Sequence, residues 1–212
     1  MDTSILTSLY SAFPALAACD ASIRAAAQAL IDCYQHDGTL FVCGNGGSCS
    51  DADHICGELL KGFCRRRPMP EAERARLAEV APEEATVLSE RLQCGLRAIS
   101  LMHIPAAGSA VANDLGYELG PTQLLYALAR PGDVFLGIST SGNARTIRHA
   151  AAIARLKGLC FIGLTGEKGG WLAANADIAI RAPADETYRI QEYHLPIYHA
   201  LCRLVESHFF RD

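Results

Sequence analysis

Asp133-Val134-Phe135-Leu136-Gly137-Ile138 runs straight into Ser139-Thr140-Ser141-Gly142-Asn143, and then into the segment from Ala144 to Lys157. The first block is short and apolar without alternation, the pattern of a strand buried on both faces. The second is a hydroxyl-rich loop, and the third has the spacing of an amphipathic helix. A buried strand followed by such a helix is the repeating unit of a parallel sheet. The unit recurs on both sides. Downstream lie a strand at Leu159–Leu164, a loop Thr165-Gly166-Glu167-Lys168-Gly169-Gly170, a shorter strand at Ala176–Ile180 and a last helix from about Glu186 to Phe210. Upstream lie a strand at Thr39–Cys43, the loop Gly44-Asn45-Gly46-Gly47-Ser48 and a helix from Asp51 to Lys61. A further strand is expected near Ala98–Met102 and a helix from Pro121 to Ala129. The pattern predicts an α/β fold with a parallel sheet covered by helices on both faces.

The first 36 residues read as helix. From Asp20, a good N-cap, apolar residues recur at Ile23, Ala27, Leu30, Ile31 and Tyr34, and Asp37-Gly38 ends the run. Residues 65–97 break the pattern. They are rich in Arg, Glu and Ala, begin with Arg65-Arg66-Arg67 and contain Pro68, Pro70 and Pro82. Both charge signs are interspersed, so this segment is expected to be a solvated helical hairpin inserted into a single domain spanning 1–212.

Composition narrows the class. The chain has 212 residues, 50% apolar and 20% charged, with a net charge of −4, which excludes a disordered chain. No basic stripe suggests nucleic acid. No apolar run approaches the roughly 20 residues of a membrane span, and no signal peptide is read at the start. The nine cysteines are odd in number and show no C-x-x-C pair, which points to a reduced, cytoplasmic protein.

The two strand-to-helix loops carry the chemistry. Glycines in the first let backbone N–H groups approach a ligand, and a helix start adds unpaired donors and partial positive charge. The second offers three hydroxyls and more amides. Two such loops on one sheet edge suit a phosphate ester without requiring Lys or Arg.

Taken in order, Gly44-Asn45-Gly46-Gly47-Ser48 with Asp51, His54 and Glu58, then Asn113-Asp114, then Gly137 to Asn143, then Arg189-Ile190-Gln191-Glu192, resemble the sugar isomerase (SIS) domain, most closely its phosphoheptose isomerases. The resemblance covers nearly the whole chain. It implies a three-layer αβα sandwich with a five-stranded parallel sheet in flavodoxin-like order, and a homotetramer with active sites between subunits. It implies conversion of sedoheptulose 7-phosphate to D-glycero-D-manno-heptose 7-phosphate, a step toward bacterial lipopolysaccharide heptose, and zinc as cofactor. Sugar-phosphate contacts fall on Asn45, Gly46, Gly47, Ser48, Asn113, Asp114, Ser139, Thr140, Ser141 and Gln191. Metal ligands fall on His54, Glu58, Gln191 and His199, with Glu58 as catalytic base and His199 as acid.

Three departures bear on the substrate. Ala144 stands where the family commonly has a serine, Cys49 where a histidine is common, and the 65–97 segment looks long. An isomerase of another phosphosugar is one alternative. A non-catalytic SIS protein that binds the replication initiator is a second, but such relatives lack the Glu and the late His. A sugar-sensing transcription regulator would need a DNA-binding domain ahead of the first strand.

Overall fold

The computed structural model describes residues 2–210. Five parallel strands form one sheet: β1 (Leu40–Gly44), β2 (Ala98–Ser100), β3 (Val134–Ile138), β4 (Cys160–Gly166) and β5 (Ile178–Ala182). Their order is β2-β1-β3-β4-β5. This is the flavodoxin-like arrangement, whose strand order reverses between β1 and β3 and opens a crevice beyond their carboxyl ends. β1 is an interior strand: Val42 is in register with Ser100 of β2 on one side and Leu136 of β3 on the other.

Side chains alternate across the sheet and divide the core in two. Leu40, Val42, Leu136, Ile162 and Ile180 pack beneath α1 (Thr3–Ala12), α2 (Asp20–Gln35), α3 (Gly47–Leu60) and α10 (Thr187–Phe209). Phe41, Cys43, Phe135 and Phe161 pack on the other face beneath α7 (Gly120–Leu128), α8 (Arg145–Lys157) and α9 (Gly170–Asn175). A sheet whose two faces are both apolar accounts for strands that read as unbroken apolar runs. Asp133 ties two strand starts together, accepting from the backbone N–H of Thr39 and of Arg130 at 2.7 Å each. Helix α8 ends at Gly158, which takes the left-handed conformation (φ 76°) that an L side chain resists.

Between the strands lie α4 (Glu71–Val80), α5 (Pro82–Arg91) and α6 (Pro105–Asp114). Helices α4 and α5 pack on each other, α4 buries no residue, and only Ala85 of α5 is buried. The base of this hairpin is closed by an antiparallel bridge between Pro68 and Gln93. The reading of Arg65-Arg66-Arg67 as part of a solvated segment fails at Arg67, which is completely buried. Its guanidinium meets the carboxylate of Glu206, 139 residues away and itself 1% exposed. Burial alone would raise the Glu206 carboxyl. The backbone N–H groups of Phe63 and Cys64 and the Arg67 charge outweigh it, and its pKa lies below the usual value.

All nine cysteines are free thiols. Among the described residues no helix is long and apolar enough to cross a membrane.

Candidate active site

Both glycine- and hydroxyl-rich loops leave the carboxyl ends of β1 and β3, on the crevice side of the sheet. In the first, Gly46 has φ 57°, and α3 begins at the next residue. The helix therefore starts inside the loop, four residues before the expected Asp51, with the Ser48 and Cys49 N–H groups donating to the Asn45 and Gly46 carbonyls. Ser48 is buried, while Asn45, Gly46 and Gly47 are exposed. Asn45 Nδ2 donates to Thr146 Oγ1 of α8 at 2.7 Å, which couples the first loop to the helix that follows the second.

In the second loop Ser139 is buried and Thr140 half-buried. Gly142 takes φ 68° and donates its N–H to the Ser139 carbonyl. Asn143 braces the turn: its Nδ2 donates to the Ser141 carbonyl, and its Oδ1 accepts from the Trp171 N–H at the start of α9. A cavity of about 280 Å³ opens beside this loop, lined by Thr140, Ser141, Lys168, Asp185, Thr187 and Ile190 among others. Lys168 and Thr187 were absent from the expected contacts. Lys168 comes from the loop after β4 and Thr187 from the first residue of α10, and their approach to the β3 loop is a product of strand order rather than of local sequence.

Helix α10 links this cavity to the acid–base cluster. Ile190 lines the cavity, and the Gln191 amide packs so closely over Gly47 that a Cβ there would collide with it. Eight residues on, about 12 Å along the axis, is His199. Its ring centroid lies 5.0 Å from that of His54, 5.0 Å from that of Tyr198 and 5.2 Å from that of Phe63. His54 and Glu58 share one face of α3, with Nε2 and Oε1 3.1 Å apart. His54 Nδ1 is 2.9 Å from Tyr198 Oη, and Lys61 Nζ donates to Glu58 Oε2 at 3.3 Å. The structure thus brings together His54, Glu58 and His199, and places Gln191 at the first loop. Lys61 was not foreseen as a partner of Glu58, although its i+3 spacing on the helix was visible.

Burial, and then the neighbouring His54, push the His199 pKa below its usual value. Its Nε2 is buried without a hydrogen-bond partner. A neutral ring with a free nitrogen is a suitable ligand. The His54–Glu58 separation also approximates the spacing of two ligands on one tetrahedral zinc, with bonds of about 2.0–2.2 Å. The donor set therefore fits zinc in kind. Among the described residues, no three His, Cys, Asp or Glu side chains already converge on one point. Asn113 and Asp114 stand exposed at the end of α6, where Asn113 Nδ2 donates to Asp114. That helix packs on α7, so neither residue is drawn to the loops by its own element.

Comparison with known proteins identifies the family. Two SIS domain family models match, over residues 13–93 and 117–201. The phosphoheptose isomerase of Helicobacter hepaticus is 38% identical over 186 residues, which cover 88% of this chain and 82% of that protein. The phosphoheptose isomerase structure from Neisseria gonorrhoeae superposes with a TM-score of 0.72 at 28% identity, covering 97% and 98% of the two chains. That from Francisella tularensis gives 0.75 at 29%, covering 97% and 95%. With both loops, the His54–Glu58 pair and the strand order in place, the chain belongs to the SIS domain family, among its phosphoheptose isomerases.

Proposed function

We propose that this chain converts sedoheptulose 7-phosphate into D-glycero-D-manno-heptose 7-phosphate through a 1,2-enediol. The observation that carries the reading is the Glu58 carboxylate. It is held between His54 and Lys61 on the helix that starts in the first phosphate loop. Amides and hydroxyls of Asn45, Gly46, Gly47, Ser48, Ser139, Thr140 and Ser141 receive the phosphate, with Lys168 at the cavity wall. Gln191 orients the sugar beside the first loop.

Glu58 takes a proton from C1 while the C2 carbonyl oxygen gains one, giving the enediol. The proton then goes back to C2 as the O1 hydroxyl gives up its own, and the C1 aldehyde forms. His199 serves the oxygens as proton carrier, because a neutral imidazole donates through one nitrogen and accepts through the other. Zinc would be held by His54, Glu58 and His199, whereas Gln191, expected as a further ligand, is seated over Gly47 at the first loop and stays with the sugar. When bound, it would act as a Lewis acid on the sugar oxygens. Cytoplasmic placement and a homotetramer complete the proposal. Asn113 and Asp114, bonded to each other on an outward helix, are suited to reach a neighbouring subunit's sugar.

The test is incubation of zinc-supplied protein with sedoheptulose 7-phosphate and, separately, with ketohexose and ketopentose phosphates, followed by product NMR. A heptose 7-phosphate aldose is expected. Turnover of another ketose phosphate in preference overturns the substrate, and no turnover of any overturns the activity.

A further inference from the structure

We propose that Arg67 is a positioning residue for the proton transfer, pinning the end of α3 that carries Glu58 to the helix that carries His199. The proposal rests on the reading of Glu58 as the base. The last carbonyls of a helix have no partners within it. At the end of α3, two of them are taken by one guanidinium: Arg67 Nη1 donates to the Leu59 carbonyl at 2.7 Å and Nη2 to the Glu58 carbonyl at 3.1 Å. The backbone bonded by Nη2 is therefore that of the base itself.

The other edge of the guanidinium engages α10. Arg67 Nε donates to Glu206 Oε1 at 3.0 Å, and Glu206 also accepts from the N–H groups of Phe63 and Cys64 at 2.8 and 2.9 Å. Phe210 covers the guanidinium, its ring centroid 4.6 Å away. Glu206 is seven residues, or about two turns, beyond His199 on the same helix. The two groups of the proton transfer thus stand on helices that share a buried node at Arg67 and Glu206, beside the His54–Tyr198 contact nearer the site. Arg67 is 0% exposed and Glu206 1%.

An ion pair retained only to hold the core would be replaceable by apolar side chains of similar volume. The planar fork does something such side chains cannot: it reaches a carboxylate on one helix and two carbonyls on another at once. Its loss would free the last turn of α3 to shift, and a displacement of about 1 Å at a reacting group costs on the order of a hundredfold in rate.

The experiment compares wild type, Glu58→Gln, Arg67→Lys and the double variant Arg67→Met/Glu206→Gln, with kcat and KM measured on sedoheptulose 7-phosphate and folding followed by circular dichroism. The double variant removes both charges, so no buried ion is left unpaired. The expected result is a KM near the wild-type value with kcat reduced on the order of a hundredfold in the double variant. Arg67→Lys, which keeps the charge but cannot span all three acceptors, should fall between it and wild type. A wild-type kcat in either folded variant overturns the proposal. So does a loss confined to KM. If the double variant does not fold, Arg67→Lys decides by the same two criteria. An inactive wild type, or a fully active Glu58→Gln, instead removes the base on which the proposal rests. The clamp fails independently when those two behave as expected and the Arg67 variants keep their kcat.

Discussion

His54 Nε2 lies 3.1 Å from Glu58 Oε1 across one turn of α3, while its other ring nitrogen lies 2.9 Å from the Tyr198 hydroxyl. The carboxylate is thereby held on one side by the ring and on the other by Lys61. Glu58→Gln keeps this shape but cannot accept a proton. We expect turnover to fall by about 10²–10⁴-fold. Binding of sedoheptulose 7-phosphate, measured by calorimetry, should persist. Retained turnover would remove Glu58 from the role of base.

The free Nε2 of His199 predicts a metal dependence that can be read without any assay of turnover. Wild-type protein should carry zinc by elemental mass spectrometry. His54→Ala and His199→Ala, each short of one donor, should carry much less after the same dialysis. Equal zinc in all three would place the ion elsewhere.

Ala144 is the N-cap of α8 and makes no capping hydrogen bond from its side chain. A serine at an N-cap offers an oxygen to the unpaired first-turn N–H groups. Ala144→Ser should raise stability by about 1 kcal/mol, seen as a higher Tm. It also adds a hydroxyl beside the second loop, and KM for the heptose phosphate should fall. A higher Tm with unchanged KM would confine residue 144 to capping.

His194 is fully buried on α10, and that burial pushes its pKa down to about 4. The unfolded chain, with the ordinary histidine value of about 6.5, takes up the proton first. Stability contributed by the neutral ring is therefore complete above about pH 6.5 and is lost as pH falls toward 4, on the order of 3 kcal/mol in all. Urea midpoints should drop steeply over this window in wild type. The slope should flatten in His194→Gln, and an equally steep fall in the variant would assign the sensitivity to other groups.

Gly142 combines a φ of 68° with a backbone carbonyl, that of Gly169, where a Cβ would stand. Gly142→Ala should destabilise the protein by more than about 1 kcal/mol, because neither the strain nor the clash can be relieved by a side-chain rotation. KM should rise as the second loop is displaced. A chemical melt with the wild-type midpoint would show that the loop adapts.

The strands were legible because a sheet covered on both faces leaves unbroken apolar runs, and the two loops because glycine and serine clusters follow them. What escaped had physical reasons. Helix α3 begins at Gly47 because its first turn is the glycine loop itself, a composition with poor helix propensity that reads as coil. Helix α6 buries no residue and so has no apolar stripe to detect. Strand β5 sits two residues later than expected, at an edge where burial is incomplete. The burial of Arg67 depends on Glu206, too distant in sequence for any local pattern to show it. At the site, His54 and Glu58 were readable from their helical spacing. Lys168 enters only through strand order.

The bridge between Pro68 and Gln93 brings the two ends of the α4–α5 excursion side by side, and α4 buries nothing. The excursion thus joins the rest of the fold through a closed neck, with Ala85 its one buried helical residue among the described residues. Material could be shortened, lengthened or exchanged beyond that bridge without disturbing the sheet. Changes confined to that part of the chain leave the Glu58 and His199 helices with the contacts that hold them.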